Sequence, residues 1–275
     1  LIFKYGSRNW HDKRMEYYAQ APIDKTMYLP LAKEYAKIIG HLNGFTKKCL
    51  VVDLDNTLWG GVLGEDGPDG IKLGESYPGN AFKSFQVDLL EMKKKGILLA
   101  IASKNNFADV EQVFLNHPHM MLTLDDFAAK EIHWNPKSES LKNIALNLNI
   151  GLDHMVFIDD NPAECEEVYS ALPMLAVIQF PKQAENYQAS LFEPGYFDIL
   201  KLSDEDKNRS QHYQQRASAE NLKSTVSNIE DFYISLDMTI QFDRIHKSNI
   251  SRLSQLTQKT NQFNITTFRY SVSEL

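Results

Sequence analysis

Val51-Val52-Asp53-Leu54-Asp55-Asn56-Thr57-Leu58-Trp59 is the stretch whose reading decides the fold. An apolar run from Leu50 to Val52 ends in two aspartates one residue apart, followed by Asn-Thr. Side chains alternate along extended backbone, so Asp53 and Asp55 share one side at the end of a buried strand. Carboxylates that close repel, and such a pair holds a proton or takes a cation. A hard cation with oxygen ligands, Mg²⁺ most naturally, resolves the conflict. Asp, Asn and Thr are also ordinary turn residues, so the competing reading of this segment alone is an Asp-rich turn after a strand.

Three further segments lie downstream in the same style. Ile97-Leu98-Leu99-Ala100-Ile101-Ala102-Ser103-Lys104-Asn105 is a buried strand ending in a hydroxyl. Trp134-Asn135-Pro136-Lys137-Ser138 opens a helical pattern and supplies a lysine. Met155-Val156-Phe157-Ile158-Asp159-Asp160-Asn161-Pro162 is another strand ending in paired carboxylates. Taken singly, Ser103 reads as a cap or turn residue, Lys137 as a solvated surface lysine, and Asp159 and Asp160 as an N-cap cluster for the helix that Pro162 starts. The four in order, each in the context it needs, lift them above those defaults.

Together they resemble the four motifs of the haloacid dehalogenase (HAD) superfamily, beginning with D-x-D-x-T/V. The resemblance implies a magnesium-dependent phosphohydrolase or phosphotransferase in which Asp53 is the nucleophile that becomes an aspartyl phosphate and Asp55 is the general acid and base. Phosphoryl transfer is mostly positioning and charge stabilisation. Ser103 is expected to donate to a phosphate oxygen and Lys137 to offset the charge of phosphate and carboxylates. Mg²⁺ is expected between Asp53, the Asp55 carbonyl and a carboxylate of the fourth motif, Asp160 or Asp159; the sequence does not separate those two. Thr57 is expected to fix the turn that aims Asp55.

A narrower resemblance follows the first motif. Trp59-Gly60-Gly61-Val62-Leu63-Gly64-Glu65-Asp66-Gly67, with Lys48-Cys49-Leu50 before it and Leu256 to Asn264 as a distant second match, resembles the FkbH-like branch. In that branch the HAD core is followed by a module resembling an acetyltransferase fold. Some members load a glyceryl unit from a phosphorylated donor onto an acyl carrier protein; others are known as phosphatases or phosphotransferases. Loading members are expected to carry a cysteine between the two aspartates, and this chain has Leu54 there. Its two cysteines are Cys49 and Cys165. Cys49 lies roughly 13 Å back along the strand at about 3.3 Å per residue. Cys165 is nearer, about a helical turn beyond Asp160, but a free cysteine there reads first as a small buried hydrophobe. Leu54 therefore favours phosphate chemistry.

Composition fits. The 275 residues suggest one to two domains, and 43% hydrophobic content can fill a sizeable core. Two distant cysteines make no disulfide framework, so a reducing cytoplasm is expected. No run approaches the ~18 apolar residues that cross a membrane, and no signal-peptide pattern opens the chain. A first residue of Leu1 rather than Met leads us to expect a piece of a longer polypeptide. The net charge of −7 argues against a nucleic-acid footprint. Lys93-Lys94-Lys95 end a helix, where they complement its dipole.

Apolar strands are expected near 49–54, 97–102, 120–122, 155–159 and 175–179. Helices are expected near 31–42, 81–95, 107–116, 138–148, from Pro162 to about Ser170, and 249–259. Continuous apolar strands alternating with helices mean an α/β fold with a doubly wound parallel sheet, with catalytic residues at the carboxyl ends of the strands. Residues 1–45 read as the tail of a preceding module, 46–200 as the HAD-like core, and 201–275 as a helical connector followed by the start of the acetyltransferase-like module; a strand is expected at 233–242. The glycine-rich segment from Gly60 to Gly79, and the gap between the second and third motifs, are too short for a folded cap. A capless site suits a large substrate, a protein-bound substrate, or closure by another module; the expected partner is a phosphorylated small molecule or a carrier-bound substrate, with an acyl carrier protein as a further candidate. Trp59 and the Gly60-Gly61 turn, with Thr57 and Asn105, are the expected substrate-side contacts, Trp59 competing with a reading as a core aromatic.

Overall fold

The computed structural model describes residues 6–43, 45–198, 239, 242, 244–259 and 268–275. They fall into two compact units divided between Asn221 and Leu222. The first holds a five-stranded, all-parallel sheet: β1 (Cys49–Val52), β2 (Leu98–Ser103), β3 (Ala129–Ile132), β4 (Met155–Asp159) and β5 (Ala176–Gln179). The spatial order is β3-β2-β1-β4-β5. In the chain before it lie helices α1 (Lys13–Ala19) and α2 (Tyr28–Leu42); α3 (Gly79–Lys94), α4 (Phe107–Asn116), α5 (Lys137–Leu148) and α6 (Pro162–Ala171) connect the strands, and α7 (Tyr187–Phe192) follows β5. From β1 the chain winds outward through β2 to β3, then returns across β1 to β4 and β5. Strand order reverses between β1 and β4, and in such sheets ligands bind at that reversal, beyond the carboxyl ends of the strands.

The continuous apolar runs are explained by burial on both faces. Every residue of β1, β2 and β4 is buried. Leu50, Val52, Leu99, Ile101, Val156 and Ile158 face one core, with Phe82, Phe85, Leu89 and Met92 of α3 and Val110 and Val113 of α4. Cys49, Val51, Leu98, Ala100, Met155 and Phe157 face the other, with Leu141, Ile144 and Leu148 of α5 and Val168 of α6. Each fully buried large apolar side chain contributes roughly 1.5–3 kcal/mol relative to exposure. Adjacent strands pair in register, Val52 beside Ile101 and Ile158, which sets Asp53 level with the ends of β2 and β4.

The helix and strand expectations hold closely, with one correction. Residues 120–122 are not a strand. Met121 N–H donates to Gln86 Oε1 of α3 at 2.9 Å, and Leu122 plugs the core from a loop. The edge strand is instead β3, Ala-Lys-Glu-Ile, which is only half buried and lacks the apolar run that marks an inner strand. Between β1 and β2 the insertion is a loop with a single helical turn, Leu63–Asp66, and α3; between β2 and β3 it is α4 and its loop. Neither is a cap domain. In the second unit, α8 (Ile250–Lys259) is tied to the last segment by Ser254 Oγ donating to the Tyr270 carbonyl at 2.7 Å. The helical connector expected to open 201–275, most of the strand expected over 233–242, and residues 260–264 of the second FkbH-like match lie outside the described residues. Among the described residues no helix is long and apolar enough to cross a membrane.

Candidate active site

Asp53 is the first residue past β1, and its amide donates to the Ile158 carbonyl at 3.0 Å, continuing the sheet ladder. Asp159 ends β4 and Asp160 follows it. Carboxylate oxygens of Asp53, Asp159 and Asp160 all lie within 4.8 Å of one another. Lys137, the first residue of α5, is 3% exposed and reaches into this ring. Its Nζ lies 2.5 Å from Asp53 Oδ1 and 3.2 Å from Asp159 Oδ2, donates to the Ala102 carbonyl at 2.7 Å, and sits 5.5 Å from the Phe157 ring centre. Ser103, at the end of β2, is buried beside it. With Asp55 these groups line a pocket of about 360 Å³.

One cation among three carboxylates leaves excess negative charge. Burial, reinforced by Asp53, pushes Asp159 up to about 7 and Asp160 to about 6. Burial opposes the charge on Lys137, yet Asp53 and Asp159 outweigh it and hold Lys137 above the ordinary lysine value. Such a donor set, all carboxylate oxygen and short of positive charge, fits a hard divalent cation. Asp160 lies on the more open side, whereas Asp159 is 1% exposed, accepts from Asn161 N–H at 2.8 Å and is engaged by Lys137.

Asp55 sits apart from the ring in a socket of donors. Trp59 Nε1 and Leu63 N–H donate to Oδ1 at 2.9 and 3.1 Å, and Asn105 Nδ2 donates to Oδ2 at 3.0 Å. Burial nonetheless raises its pKa above the usual carboxylate value, with the neighbouring Asp53 charge adding to it.

The loop that aims Asp55 is fixed by residues the sequence reading passed over. Asn56 adopts the left-handed conformation (φ 51°), and its Oδ1 accepts from Gly61 N–H at 2.9 Å. Tyr187 of α7 donates its hydroxyl to the Asn56 carbonyl at 2.5 Å. Gly61 has φ 98°, which suits glycine. A Cβ on Gly60 would lie 2.7 Å from the Phe82 ring, so this close approach also needs glycine. Asn-Gly spacing was the available signal for Asn56; nothing local pointed to Tyr187, whose contact spans 131 positions. Also unforeseen were Lys104, Glu164 and Lys182 along the pocket wall, and Glu167, which receives the Ser138 amide and hydroxyl and so anchors the start of α5 behind Lys137.

The four expected substrate contacts are corrected. Trp59 is fully buried, its large ring packed edge-on against Phe114 of α4 in the core while its N–H finds Asp55. Thr57 is fully buried and its hydroxyl has no hydrogen-bond partner, so Asn56 rather than Thr57 fixes the turn. Gly60 is enclosed by Phe82 and Lys72. Asn105 is buried and bonds Asp55 and the Ser103 hydroxyl.

Among solved structures, the chain is similar to the N-terminal part of the protein BF1531 from Bacteroides fragilis, containing a phosphatase domain complexed with Mg. The two are 34% identical, with a TM-score of 0.68 over 73% of this chain and 54% of that one. This chain thus spans about half of that structure. It is also similar to the wild-type HAD-family enzyme bt-2542 from Bacteroides thetaiotaomicron, in complex with magnesium and inorganic phosphate (19% identity, 53% of this chain and 99% of that one, TM-score 0.39). A third is the 3-deoxy-D-manno-octulosonate 8-phosphate phosphatase of Moraxella catarrhalis (16%, 65% and 94%, TM-score 0.30). The last two alignments are too loose to bear on the site. No family model and no curated protein matches the chain. The fold is thus similar to that of a structure containing a magnesium-bound phosphatase domain, and the acidic centre lies at the carboxyl ends of its strands.

Proposed function

We propose that the chain is a Mg²⁺-dependent phosphohydrolase or phosphotransferase working through an aspartyl phosphate on Asp53. The observation that carries this reading is the ring of Asp53, Asp159 and Asp160 around buried Lys137, with a separate, donor-held Asp55 of raised pKa nearby. Asp53, the Asp55 carbonyl and Asp160 would hold the cation, with Asp159 the alternative to Asp160; when bound, it supplies charge neutralisation for phosphate and carboxylates. Asp53 attacks phosphorus in line. Ser103 and Lys137 hold phosphate oxygens. Asp55, whose pKa burial raises, gives its proton to the leaving oxygen. It then takes one from the water, or from the acceptor alcohol, that attacks the phosphoenzyme.

Membership of the FkbH-like branch, with 46–200 as the catalytic core between flanking modules, belongs to the same proposal. Within that branch phosphate chemistry is favoured over acyl loading. Leu54 occupies the loading position and is itself core, and burial pushes both Cys49 and Cys165 up to about 12, far from a reactive thiolate. The substrate is a phosphorylated small molecule or a carrier-bound phosphate ester, admitted through a mouth that neither inter-strand insertion caps. Two free, buried cysteines suit a reducing cytoplasm. The test is phosphate release from a panel of phosphate esters and acyl phosphates, with and without carrier protein. Turnover should need Mg²⁺, stop with chelator and vanish in Asp53→Asn; an Asp53→Asn protein that keeps turnover, free of contaminating phosphatase, removes the nucleophile.

A further inference from the structure

Both oxygens of Asp55 are spoken for. The indole N–H of Trp59 meets Oδ1 at 2.9 Å and the side-chain amide of Asn105 meets Oδ2 at 3.0 Å, with the Leu63 amide as a third donor on Oδ1. A carboxylate gripped at both oxygens cannot turn about its last bond without breaking a bond at one of them. Neither gripping side chain is free to swing. Trp59 has no exposed surface and packs edge-on against Phe114 at 6.1 Å, and Asn105 is 5% exposed. The backbone under the indole is equally fixed: the Leu58 amide bonds the Leu54 carbonyl at 2.7 Å, and Asp55 and Trp59 bridge as adjacent strands do. The same Asn105 amide also reaches the Ser103 hydroxyl at 3.2 Å, so it ties the orientation of Asp55 to a hydroxyl on the pocket wall.

We propose that Trp59 and Asn105 are positioning residues that clamp the Asp55 carboxyl in the plane from which it delivers its proton to the leaving oxygen. This rests on the reading of Asp55 as general acid. A buried indole N–H needs an acceptor, and a core tryptophan could satisfy it on a backbone carbonyl. Here the acceptor is the one carboxylate that must be aimed, and a second side chain on another strand end completes the grip. The substrate does not meet either residue; both act through Asp55.

A purely structural role and a positioning role part company in leaving-group dependence. An acid that is badly aimed costs most when the leaving oxygen needs its proton, as an alkoxide does, and little when the leaving group departs unaided, as p-nitrophenolate does. Wild type, Trp59→Phe, Asn105→Ala, Asp55→Asn and Asp53→Asn are compared on ethyl phosphate and p-nitrophenyl phosphate with Mg²⁺, reading kcat/KM, which reports the step in which the ester bond breaks. Trp59→Phe keeps the ring and deletes the N–H, and its melting temperature is measured alongside. General acids typically contribute about 10²–10⁴-fold. Loss of one clamp bond is expected to cost about tenfold on ethyl phosphate and less than about threefold on p-nitrophenyl phosphate, with Asp55→Asn showing the same asymmetry more steeply. Asn105→Ala reads the other oxygen and stands in if Trp59→Phe proves unstable. Equal losses on the two esters, or none, in a folded variant overturn the clamp. Turnover retained by Asp53→Asn overturns the aspartyl-phosphate mechanism on Asp53 instead, and the two failures cannot be confused.

Discussion

Lys137→Met removes the one buried lysine among the described residues, the partner of the Asp53 and Asp159 carboxylates. Its Nζ touches Asp53 and Asp159, and the side chain is 3% exposed, so water cannot replace it without opening the pocket. Breaking a buried pair by deleting one partner costs about 3–5 kcal/mol. In a unit of this size each kcal/mol moves the melting temperature by roughly 2–4 °C, giving a fall of about 6–20 °C. The sign with pH follows from the shifts. Lys137 is held above its ordinary value, so its favourable contribution is fully present at pH 8 and is lost only as pH rises through the raised pKa. Towards pH 5, Asp159 (about 7) and Asp160 (about 6) take up protons, and the cost of losing the cation shrinks. Thermal unfolding of wild type and Lys137→Met in chelator at pH 8 and pH 5, then in excess Mg²⁺ at pH 8, checks this. The deficit should be large at pH 8, smaller at pH 5, and partly restored by Mg²⁺. Turnover should drop about 10²–10³-fold, the scale of one lost charge-stabilising donor. A variant whose melting temperature at pH 8 in chelator matches wild type would refute the argument that these carboxylates depend on Lys137.

Other outcomes follow from the same geometry. Because folding raises the pKa values of Asp159 and Asp160, their contribution favours the folded state at low pH and declines as pH climbs through about 6 and 7; Mg²⁺ should cancel that decline, so its stabilising increment grows between pH 5 and 8, and a flat increment in melting scans contradicts the site. Gly60→Ala drives a methyl into the Phe82 ring and should cost about 1–3 kcal/mol in denaturant unfolding; an unchanged midpoint means the loop yields more easily than its contacts suggest. The double change Cys49→Ser, Cys165→Ser should leave phosphate turnover per folded molecule within a few-fold, whereas a glyceryl mass adduct on Cys165 that moves to a carrier protein would replace the phosphatase reading with acyl loading.

The sheet was legible because its inner strands are buried on both faces, and that constraint writes unbroken apolar runs such as Leu98–Ala102 into the sequence. The edge strand escaped because Lys130 faces solvent and Glu131 is taken up by His133 and Asn143, leaving no apolar run, while Met120 and Leu122 answer to the α3 side of the core. Asp53, Asp159, Asp160 and Lys137 could be picked out because each follows directly from the end of a strand or the start of a helix. Trp59 and Asn105 were misread for a physical reason. Both polar groups point at Asp55 from buried positions, and a sequence shows that a polar group is present without showing that its partner is another protein atom rather than a substrate. Tyr187 and Glu167 act across the fold, where no local pattern records them.

The alternation of β1 ties two requirements to a single count of residues. Leu50 and Val52 serve one core, Cys49 and Val51 the other, and Asp53 continues the same beat. Removing one residue from the strand would force a choice: either the two faces exchange, or the first carboxylate turns away from the other two. Packing and chemistry therefore share one reading frame in space, and a deletion that spares one is expected to cost the other.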